Sequence, residues 1–316
     1  MPTRLVACVV IGALAAGCSS EAETATTSSA ATTTVTTTSS TAAATSTAPI
    51  TATTELSTAR ILVELPIEAL TAFLTDAERG AASGDGNGVR QQLLYRYMSA
   101  HPDLDARVLA SVGDDVRPYV ERIVTARQFG QARAAANPSS TPPSDTLPAW
   151  TIVEPLPPDE LLRSYREAET ATGIAWYWLA AIHLQETRMG RIIGTSSAGA
   201  VGPMQFLPTT WERCCTGDPL VARDAIIGAA TYLSQSGGPA DMPAALYEYN
   251  PNDSYVATVT AFAENMRDNP QLYAAYRDWQ VFYTSSAGTI RLPVGYSQAE
   301  AIDAVTYLAA HPQDAA

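Results

Sequence analysis

Residues 174–189, IAWYWLAAIHLQETRM, are the most apolar predicted helix of this 316-residue chain. Their apolar side chains cover nearly every side of a helical projection, which is typical of a helix buried all round. Glu186 lies near the carboxyl end of the stretch. Burial disfavours the charged form of a carboxyl group and raises its pKa. The stretch therefore predicts a central helix that presents a protonated carboxyl near neutral pH, as general-acid chemistry requires.

Two interpretations of Glu186 are open on this helix alone. It is either a buried acid or a solvated residue at a helix end, and strongly perturbed acids are a minority. His183 lies one turn earlier on the same face. It is either a pH-sensitive neighbour of the acid or a core histidine, and the apolar helix around it favours the core.

Helical periodicity continues on both sides and predicts a mainly α fold. Helix 158–172 opens on Pro158-Asp159-Glu160, a favourable first turn, and closes at Gly173. Residues 150–153 are expected to form a short strand. The other predicted helices cover 65–79, a segment through Leu93 and Met98, 104–111, a longer segment from near Asp114, 223–235, 242–249, 253–268 and about 298–310.

Composition divides the chain into segments. Residues 137–149 are rich in Pro and Ser and are predicted to be a linker. They separate a helical region at 55–136 from a second domain at 150–296, and a C-terminal helix or tail follows at 297–316.

The N-terminus is interpreted as a lipoprotein signal peptide at 1–17. Its apolar run, Leu5 to Gly17, has 13 residues, too few to span a bilayer as a helix. The run ends in Leu14-Ala15-Ala16-Gly17-Cys18, which resembles a bacterial lipobox, so Cys18 is predicted to carry lipid. An ordinary secretory signal that happens to contain a cysteine is the alternative.

A low-complexity segment follows the predicted lipid site. Of the 36 residues at 19–54, 31 are Ser, Thr or Ala. Such a composition cannot bury enough apolar surface to offset its ordering entropy. Residues 18–54 are therefore predicted to be a lipid anchor and disordered tether. The protein is expected to be exported and attached to the outer face of the cytoplasmic membrane.

Charge excludes one class of partner. All 19 basic residues are arginine, and 32 acidic residues give a formal net charge of −13. Binding to duplex nucleic acid needs a basic surface, so no nucleic-acid partner is predicted.

Cysteine and histidine are too few for a zinc site. Of the four cysteines, Cys8 would leave with the signal peptide and Cys18 would carry lipid, which leaves Cys214 and Cys215, adjacent in the sequence. Adjacent cysteines rarely satisfy disulfide geometry, so thiols are favoured over a vicinal disulfide or a bond to another chain. With three scattered histidines, these residues predict no metal and no cofactor.

Motifs of several enzyme classes are missing from the sequence. There is no Gly-x-Ser-x-Gly elbow, His-Glu-x-x-His helix, phosphate loop or dinucleotide fingerprint. Two other segments accompany Glu186-Thr187 in a fixed order. They are SSAGAVGPMQFLPTTW at 196–211 and ALYEYN at 245–250.

Together the three segments resemble the signature motifs of the SLT-type lytic transglycosylases, which have a goose-type-lysozyme-like fold. The family's Glu-Ser appears as Glu186-Thr187, its Gly-Leu-Met-Gln as Gly202-Pro203-Met204-Gln205, and its Ala-Tyr-Asn as Glu248-Tyr249-Asn250. The resemblance covers about 157–268. The tether and the arginine-only composition resemble exported members from high-GC actinobacteria.

The resemblance implies cleavage of the β-1,4 bond between N-acetylmuramic acid (MurNAc) and N-acetylglucosamine (GlcNAc) in peptidoglycan. In this family one glutamate protonates the leaving oxygen and then accepts the proton of the C6 hydroxyl, which attacks C1. The product is a 1,6-anhydro-MurNAc end. Peptidoglycan glycan strands are then the partner of a protein that faces the cell wall. Two-carboxylate glycosidases need a second acid about 5–10 Å away. Asp218, Asp224 and Glu248 keep that alternative open.

The same resemblance assigns roles to named residues. Glu186 is the catalytic residue, and Tyr249 is expected to hydrogen-bond it. Gln205 is expected to contact a sugar acetamide or hydroxyl, and Ser196 to bind near the catalytic site. Met204 and Phe206 are expected to form an apolar wall, and Thr187 and Asn250 complete the predicted substrate-binding set.

Each assignment has an alternative. Met204, Phe206 and Trp211 are equally explained by core packing, and Tyr249 by stacking in the core. Thr187 keeps the hydroxyl of the family's serine. Glu248 departs from the family's alanine, and its charge is expected to raise the pKa of Glu186 or to tune peptide-stem preference.

Two further functions stay open at this point. One is a muramidase that hydrolyses the same bond. The other is a non-catalytic peptidoglycan-binding lipoprotein, which would have little need for a buried acid.

Overall fold

The computed structural model describes residues 61, 64–85, 88–139 and 141–316. Across these residues the fold is mainly α, as the sequence predicts. The predictions for 1–17, Cys18 and 18–54 lie outside the described residues. The α-helices are α1 (Ile67–Ser83), α2 (Gly88–Ala100), α3 (Asp105–Ser111), α4 (Arg117–Ala136), α5 (Pro158–Thr172), α6 (Trp176–Thr187), α7 (Pro208–Cys214), α8 (Ala222–Gln235), α9 (Met242–Tyr249), α10 (Asp253–Asp268), α11 (Leu272–Arg277) and α12 (Ala304–Ala310).

Short antiparallel strand pairs complete the described structure. Strand β1 (Thr146–Leu147) pairs with β6 (Ile302–Asp303), β2 (Thr151–Ile152) with β3 (Ile192–Ile193), and β4 (Val281–Ser285) with β5 (Gly288–Leu292). Among the described helices, none combines the length and the apolarity that a membrane crossing requires.

Helix α6 is buried among other helices, as its apolar surface predicts. It packs against α5, α8, α10 and α11. Every residue from Leu179 to Leu184 is buried. The helix ends at Thr187 because Arg188 adopts a left-handed conformation, with φ of 55°. This termination fixes the position of Glu186 at the edge of the core.

Local signals set several helix boundaries. Helix α5 occupies the predicted range, with Pro158 in its first turn and Gly173 in a left-handed conformation after its end. Asp241 caps α9 by accepting a hydrogen bond from the Ala244 amide (3.1 Å), and Asn252 caps α10 by accepting one from the Ser254 amide (2.9 Å).

Two predicted boundaries were wrong. Helix α1 continues through Gly80 to Ser83 and ends at Gly84, whose φ is 81°. Glycine ends a helix only where the backbone adopts the left-handed conformation, and Gly80 is helical. Helix α12 begins at Ala304 instead of about 298, because residues 302–303 form a strand and Asp303 caps the helix.

One continuous hydrophobic core joins the helical region at 55–136 to the helices that follow. Val120, Ile123 and Val124 of α4 belong to the same cluster as Phe262 and Met266 of α10. Polar contacts reinforce this interface. Arg122 on α4 forms an ion pair with Asp268 (2.5 Å) and donates a hydrogen bond to Oδ1 of Asn265 (3.0 Å).

A second, smaller core combines three sequence segments. Leu147 comes from the predicted linker, Val281 and Ile290 from the hairpin β4–β5, and Ala304 and Tyr307 from the predicted tail. Leu147 is fully buried. The end of the predicted linker is therefore part of a packed structure.

A buried polar chain links α1 and α2 to the region after α11. Glu78 on α1 is fully buried, and its Oε1 accepts hydrogen bonds from the Tyr95 hydroxyl (2.5 Å) and from Nε2 of Gln91 (3.0 Å). The side-chain amide oxygen of Gln91, Oε1, accepts a hydrogen bond from the Trp279 indole (3.0 Å). Burial raises the pKa of Glu78 to about 7, so the carboxyl is partly protonated near neutrality.

Candidate active site

Glu186 is a buried acid, which settles the choice left open on its helix. It is the penultimate residue of α6, and 3% of its surface is exposed. Burial raises its pKa to about 8, although a hydrogen bond from the Tyr255 hydroxyl acts in the opposite direction. The side chain is therefore mainly protonated at neutral pH, as predicted.

The tyrosine that holds Glu186 is Tyr255, and the prediction of Tyr249 was wrong. The Tyr255 hydroxyl donates to Oε1 of Glu186 at 2.7 Å. The Tyr249 hydroxyl instead donates to the Met204 carbonyl at 2.6 Å. The two rings lie parallel, with centroids 6.5 Å apart. Tyr255 lies in the predicted helix 253–268, and the helical pattern alone does not reveal which group its hydroxyl contacts.

Thr187 connects the end of α6 to the segment that contains Gln205. Its hydroxyl donates to the Pro203 carbonyl (2.6 Å) and accepts a hydrogen bond from the Gly190 amide (3.1 Å). A serine hydroxyl could make the same two contacts. The structure thus gives Thr187 a role in fixing the loops beside Glu186.

A tight turn at 201–206 carries three of the predicted residues. Val201 and Phe206 form an antiparallel bridge across it. Gly202 has a φ of 76°, and a Cβ atom there would lie 1.9 Å from the Pro219 carbonyl oxygen, so only glycine fits. Gln205 also has a positive φ (49°), and its side-chain amide donates to the Gly202 carbonyl at 2.9 Å.

Met204 and Phe206 lie fully inside the core, beneath the turn. The Phe206 ring packs against Trp211 (5.1 Å between centroids) and Tyr249 (5.8 Å). Both residues therefore pack in the core, which is the alternative given for them in the sequence analysis. They support the turn that carries Gln205.

Ser196 lies in a loop, and Asn250 follows the end of α9. The Ser196 hydroxyl accepts hydrogen bonds from the amides of Ala198 (3.3 Å) and Ala200 (3.0 Å), which closes a tight loop at 196–200. Asn250 follows α9 directly and leaves it in an extended conformation. Both residues therefore have structural contacts, and a role in substrate binding stays a prediction.

The expected effect of Glu248 on the acid was wrong. Its side chain is half-buried, and the pKa of Glu186 is shifted by burial and by Tyr255, with no contribution from Glu248. Asp218 and Asp224 act locally as well: the Asp224 carboxylate accepts a hydrogen bond from the Asp218 amide at 3.1 Å. None of these three carboxylates shifts the pKa of Glu186.

His183 is a core histidine, as the apolar helix favours. It is fully buried, and its Nδ1 pairs with the Tyr165 hydroxyl at 2.8 Å. Burial lowers its pKa to about 3, so it is neutral at physiological pH.

The expectation of free thiols at Cys214 and Cys215 was wrong. The two residues form a vicinal disulfide. Helix α7 ends at Cys214, and Cys215 is extended, with φ of −133°. The pair is therefore released from helical geometry, which allows the sulfur atoms to meet. Among residues that the structure covers, no group of three or more His, Cys, Asp or Glu could hold a metal ion.

The described residues form a mainly α fold whose central helix ends in a buried glutamate, which is consistent with the predicted lysozyme-like fold. A curated relative agrees with that class. Over 147 residues the chain is 28% identical to a membrane-bound lytic murein transglycosylase F from Thiobacillus denitrificans (strain ATCC 25259 / T1). The alignment covers 44% of this chain and 31% of the relative, so it spans about a third of that protein's length. No protein-family model and no solved structure matches the chain.

Proposed function

We propose that the protein is a lytic transglycosylase that cleaves the MurNAc-β-1,4-GlcNAc bond of peptidoglycan, with Glu186 as its single acid and base. The observation that carries the proposal is the burial of Glu186, which raises its pKa to about 8. A protonated carboxyl is the form that can protonate a glycosidic oxygen at neutral pH.

The reaction balances with one carboxyl group. Glu186 gives its proton to the glycosidic oxygen as the bond from that oxygen to C1 of MurNAc breaks. The resulting carboxylate accepts the proton of the MurNAc C6 hydroxyl, and that oxygen forms a new bond to C1. The products are a 1,6-anhydro-MurNAc end and a GlcNAc end with a free hydroxyl. Glu186 is protonated again, and no water is consumed.

Tyr255 supports both steps through the same contact. Its hydroxyl bonds to Oε1 of Glu186 at 2.7 Å, which fixes the carboxyl and stabilises its charged form. Thr187 and Gln205 hold the neighbouring loops, and Met204, Phe206 and Tyr249 support these loops from the core. Ser196 and Asn250 complete the proposed substrate-binding region.

The test is to digest purified peptidoglycan sacculi with the protein and to measure the masses of the released muropeptides by mass spectrometry. The proposed reaction gives products one water lighter than those of hydrolysis. Glu186→Gln should lower release at least about 100-fold, since general acid–base catalysis typically contributes that much or more. Glu248→Gln is the matched control, because the Glu248 carboxylate does not act on Glu186.

Other outcomes of the digestion would contradict the proposal. Ordinary reducing ends would make the protein a muramidase. Binding to sacculi without release would make it a peptidoglycan-binding lipoprotein. Unchanged release by Glu186→Gln would remove Glu186 from the mechanism.

We further propose that Cys18 carries a lipid anchor and that residues 18–54 tether the enzyme to the outer face of the cytoplasmic membrane. A fatty-acid analogue fed to expressing cells should label the protein, and Cys18→Ala should lose the label and the membrane attachment. Labelling that survives Cys18→Ala would reject the anchor.

A further inference from the structure

A cleft of about 580 Å³ lies between the start of α2, strand β2 and the hairpin β4–β5, and we call it the hairpin cleft. Three buried apolar side chains line it: Ile152 of β2, Val281 of β4 and Leu292 of β5. Val294 also lines it, and 49% of its surface is exposed. The volume is within the range of about 300–1,000 Å³ that small-molecule sites occupy.

Charged side chains of both signs line the same cleft. Glu154 and Asp278 supply carboxylates, and Arg191 and Arg291 supply guanidinium groups. The two carboxylate side chains are 66% and 42% exposed, and the two arginine side chains are 8% and 13% exposed. The hairpin cleft therefore brings two accessible negative charges and two deeper positive charges to one opening.

Arg191 is held firmly but has donors to spare. One terminal nitrogen pairs with Oε2 of Glu154 at 3.1 Å, and the other donates to the Arg277 carbonyl at 3.2 Å. Its Nε is buried and has no hydrogen-bond partner among the described residues. A guanidinium group carries five N–H donors, so these two contacts leave Arg191 able to bind a further acceptor.

Asp278 has little compensating positive charge. Its ion pair with Arg277 is long, at 4.0 Å between Oδ1 and Nη1. Burial raises the pKa of the Asp278 carboxyl above its ordinary value, and the Gly88 amide and Arg277 offset this only in part. A cation in the hairpin cleft would therefore stabilise the charged form of Asp278.

We propose that the hairpin cleft binds an aliphatic α-amino acid whose ammonium and carboxylate groups are both free. The ammonium group lies beside Asp278 and Glu154, and the carboxylate contacts Arg191, with Arg291 adding positive charge. The aliphatic side chain covers the apolar residues of the cleft. An isolated cation or an isolated anion would satisfy only one of the two charged sets.

Two sources offer this chemistry. One is a free amino acid. The other, which rests on the proposed function, is the unlinked amino-acid end of a diaminopimelic acid residue in a peptidoglycan stem peptide. Arg191 follows Glu186 by five residues, so their Cα atoms are at most about 18 Å apart. A stem of four extended residues spans about 14 Å, so a stem whose sugar is bound at Glu186 is long enough to approach the cleft.

The test measures the melting temperature of the full chain against ligand concentration. L- and D-norleucine probe the free amino acid, with N-acetylnorleucine and norleucinamide as matched controls that each lack one charge. L-alanyl-γ-D-glutamyl-meso-diaminopimelic acid probes the peptide end, and the same peptide ending in L-lysine lacks the distal carboxylate. We expect the zwitterionic probes to raise the melting temperature saturably. The probe with the lower half-saturating concentration identifies the source.

Variants then locate the site. Asp278→Asn should raise the half-saturating concentration about tenfold, the effect of losing one charged hydrogen bond. Asp303→Asn is the matched control, since Asp303 is an exposed aspartate that caps α12 outside the cleft. Val294→Trp should abolish the response by filling the cleft, and its melting temperature without ligand shows that the chain is folded. Glu186→Gln should keep the parent response.

Three results would overturn the site: no saturable rise with any zwitterionic probe, an equal rise with the controls that lack one charge, or an unchanged response in both Asp278→Asn and Val294→Trp. The measurement is independent of glycan release. The sacculus digestion can therefore fail while this site holds, and the reverse outcome is equally readable.

Discussion

At the scale of single residues, the acid is set by a balance between burial and one hydrogen bond. Burial raises the pKa of Glu186, and Tyr255 lowers it. The sequence predicted the burial from the apolar surroundings of the helix. It could not assign the tyrosine, because Tyr249 and Tyr255 lie six positions apart and both face the core. Which hydroxyl reaches Glu186 depends on how α9 and α10 are oriented in the fold.

The two tyrosines allow a matched comparison. Tyr255→Phe removes a hydrogen bond that stabilises the carboxylate, so the pKa of Glu186 should rise by about one unit. The basic limb of the activity profile should move to higher pH by that amount, and kcat should fall because the carboxyl is no longer fixed. Kinetics on sacculi across pH 5 to 10 would measure both effects.

Tyr249→Phe is the control for this comparison, since its hydroxyl bonds to the Met204 carbonyl. It should leave the pH profile in place. A profile that moves with Tyr249→Phe and stays with Tyr255→Phe would reverse the assignment.

At the scale of elements, local signals account for α5, α9 and α10, whose observed ranges match the predicted ones. Local signals do not predict an element that forms through a contact with residues distant in the sequence. Strand β1 lies in a segment predicted to be a linker, and its partner β6 is more than 150 residues away. No property of residues 146–147 alone reveals that pairing.

The packing of α1 against α2 predicts a pH-dependent stability through Glu78. Its pKa is raised from 4.5 to about 7 in the folded chain, so the folded state holds a proton that the unfolded state has released between these values. The contribution of Glu78 to the free energy of unfolding is therefore greatest below pH 4.5. It falls by about 3 kcal/mol as pH rises through 7.

Glu78→Gln should remove this component. Denaturant unfolding at pH 5 and pH 8 would show a smaller loss of stability in the variant than in the parent chain. Glu186 contributes a slope of the same sign and His183 one of opposite sign between pH 3 and 6.5. Both are common to the two chains, so the difference isolates Glu78. Parallel pH dependences in the two chains would contradict the prediction.

At the scale of the whole molecule, the helices before residue 137 and those after residue 157 share one core. The sequence analysis divided these two regions because residues 137–149 are rich in Pro and Ser. Such a composition indicates a domain boundary, but it carries no information about the packing of the helices on either side. Helices α4 and α10 lie on opposite sides of this segment in the sequence, but they pack against each other in the structure.

Removal of α1 to α4 should therefore prevent cooperative folding. A chain that begins at residue 141 would expose the α10 surface that α4 covers, including the partners of Arg122. We expect calorimetry to show no sharp unfolding transition for this fragment. A chain that begins at residue 61 keeps every described residue and is the control. A fragment from 141 that melts as sharply as this control would show that the second region folds independently.

The polar chain from Glu78 through Gln91 to Trp279 has an optical consequence. When Glu78 loses its proton, its negative charge strengthens the hydrogen bond from Gln91. The stronger hydrogen bond polarises the side-chain amide of Gln91, whose oxygen accepts the hydrogen bond from the Trp279 indole. Indole emission responds to such local fields, so the fluorescence of Trp279, obtained by subtracting the spectrum of Trp279→Phe, becomes an intrinsic pH indicator. It reports on the packing of the N-terminal helices without any added dye and without glycan substrate.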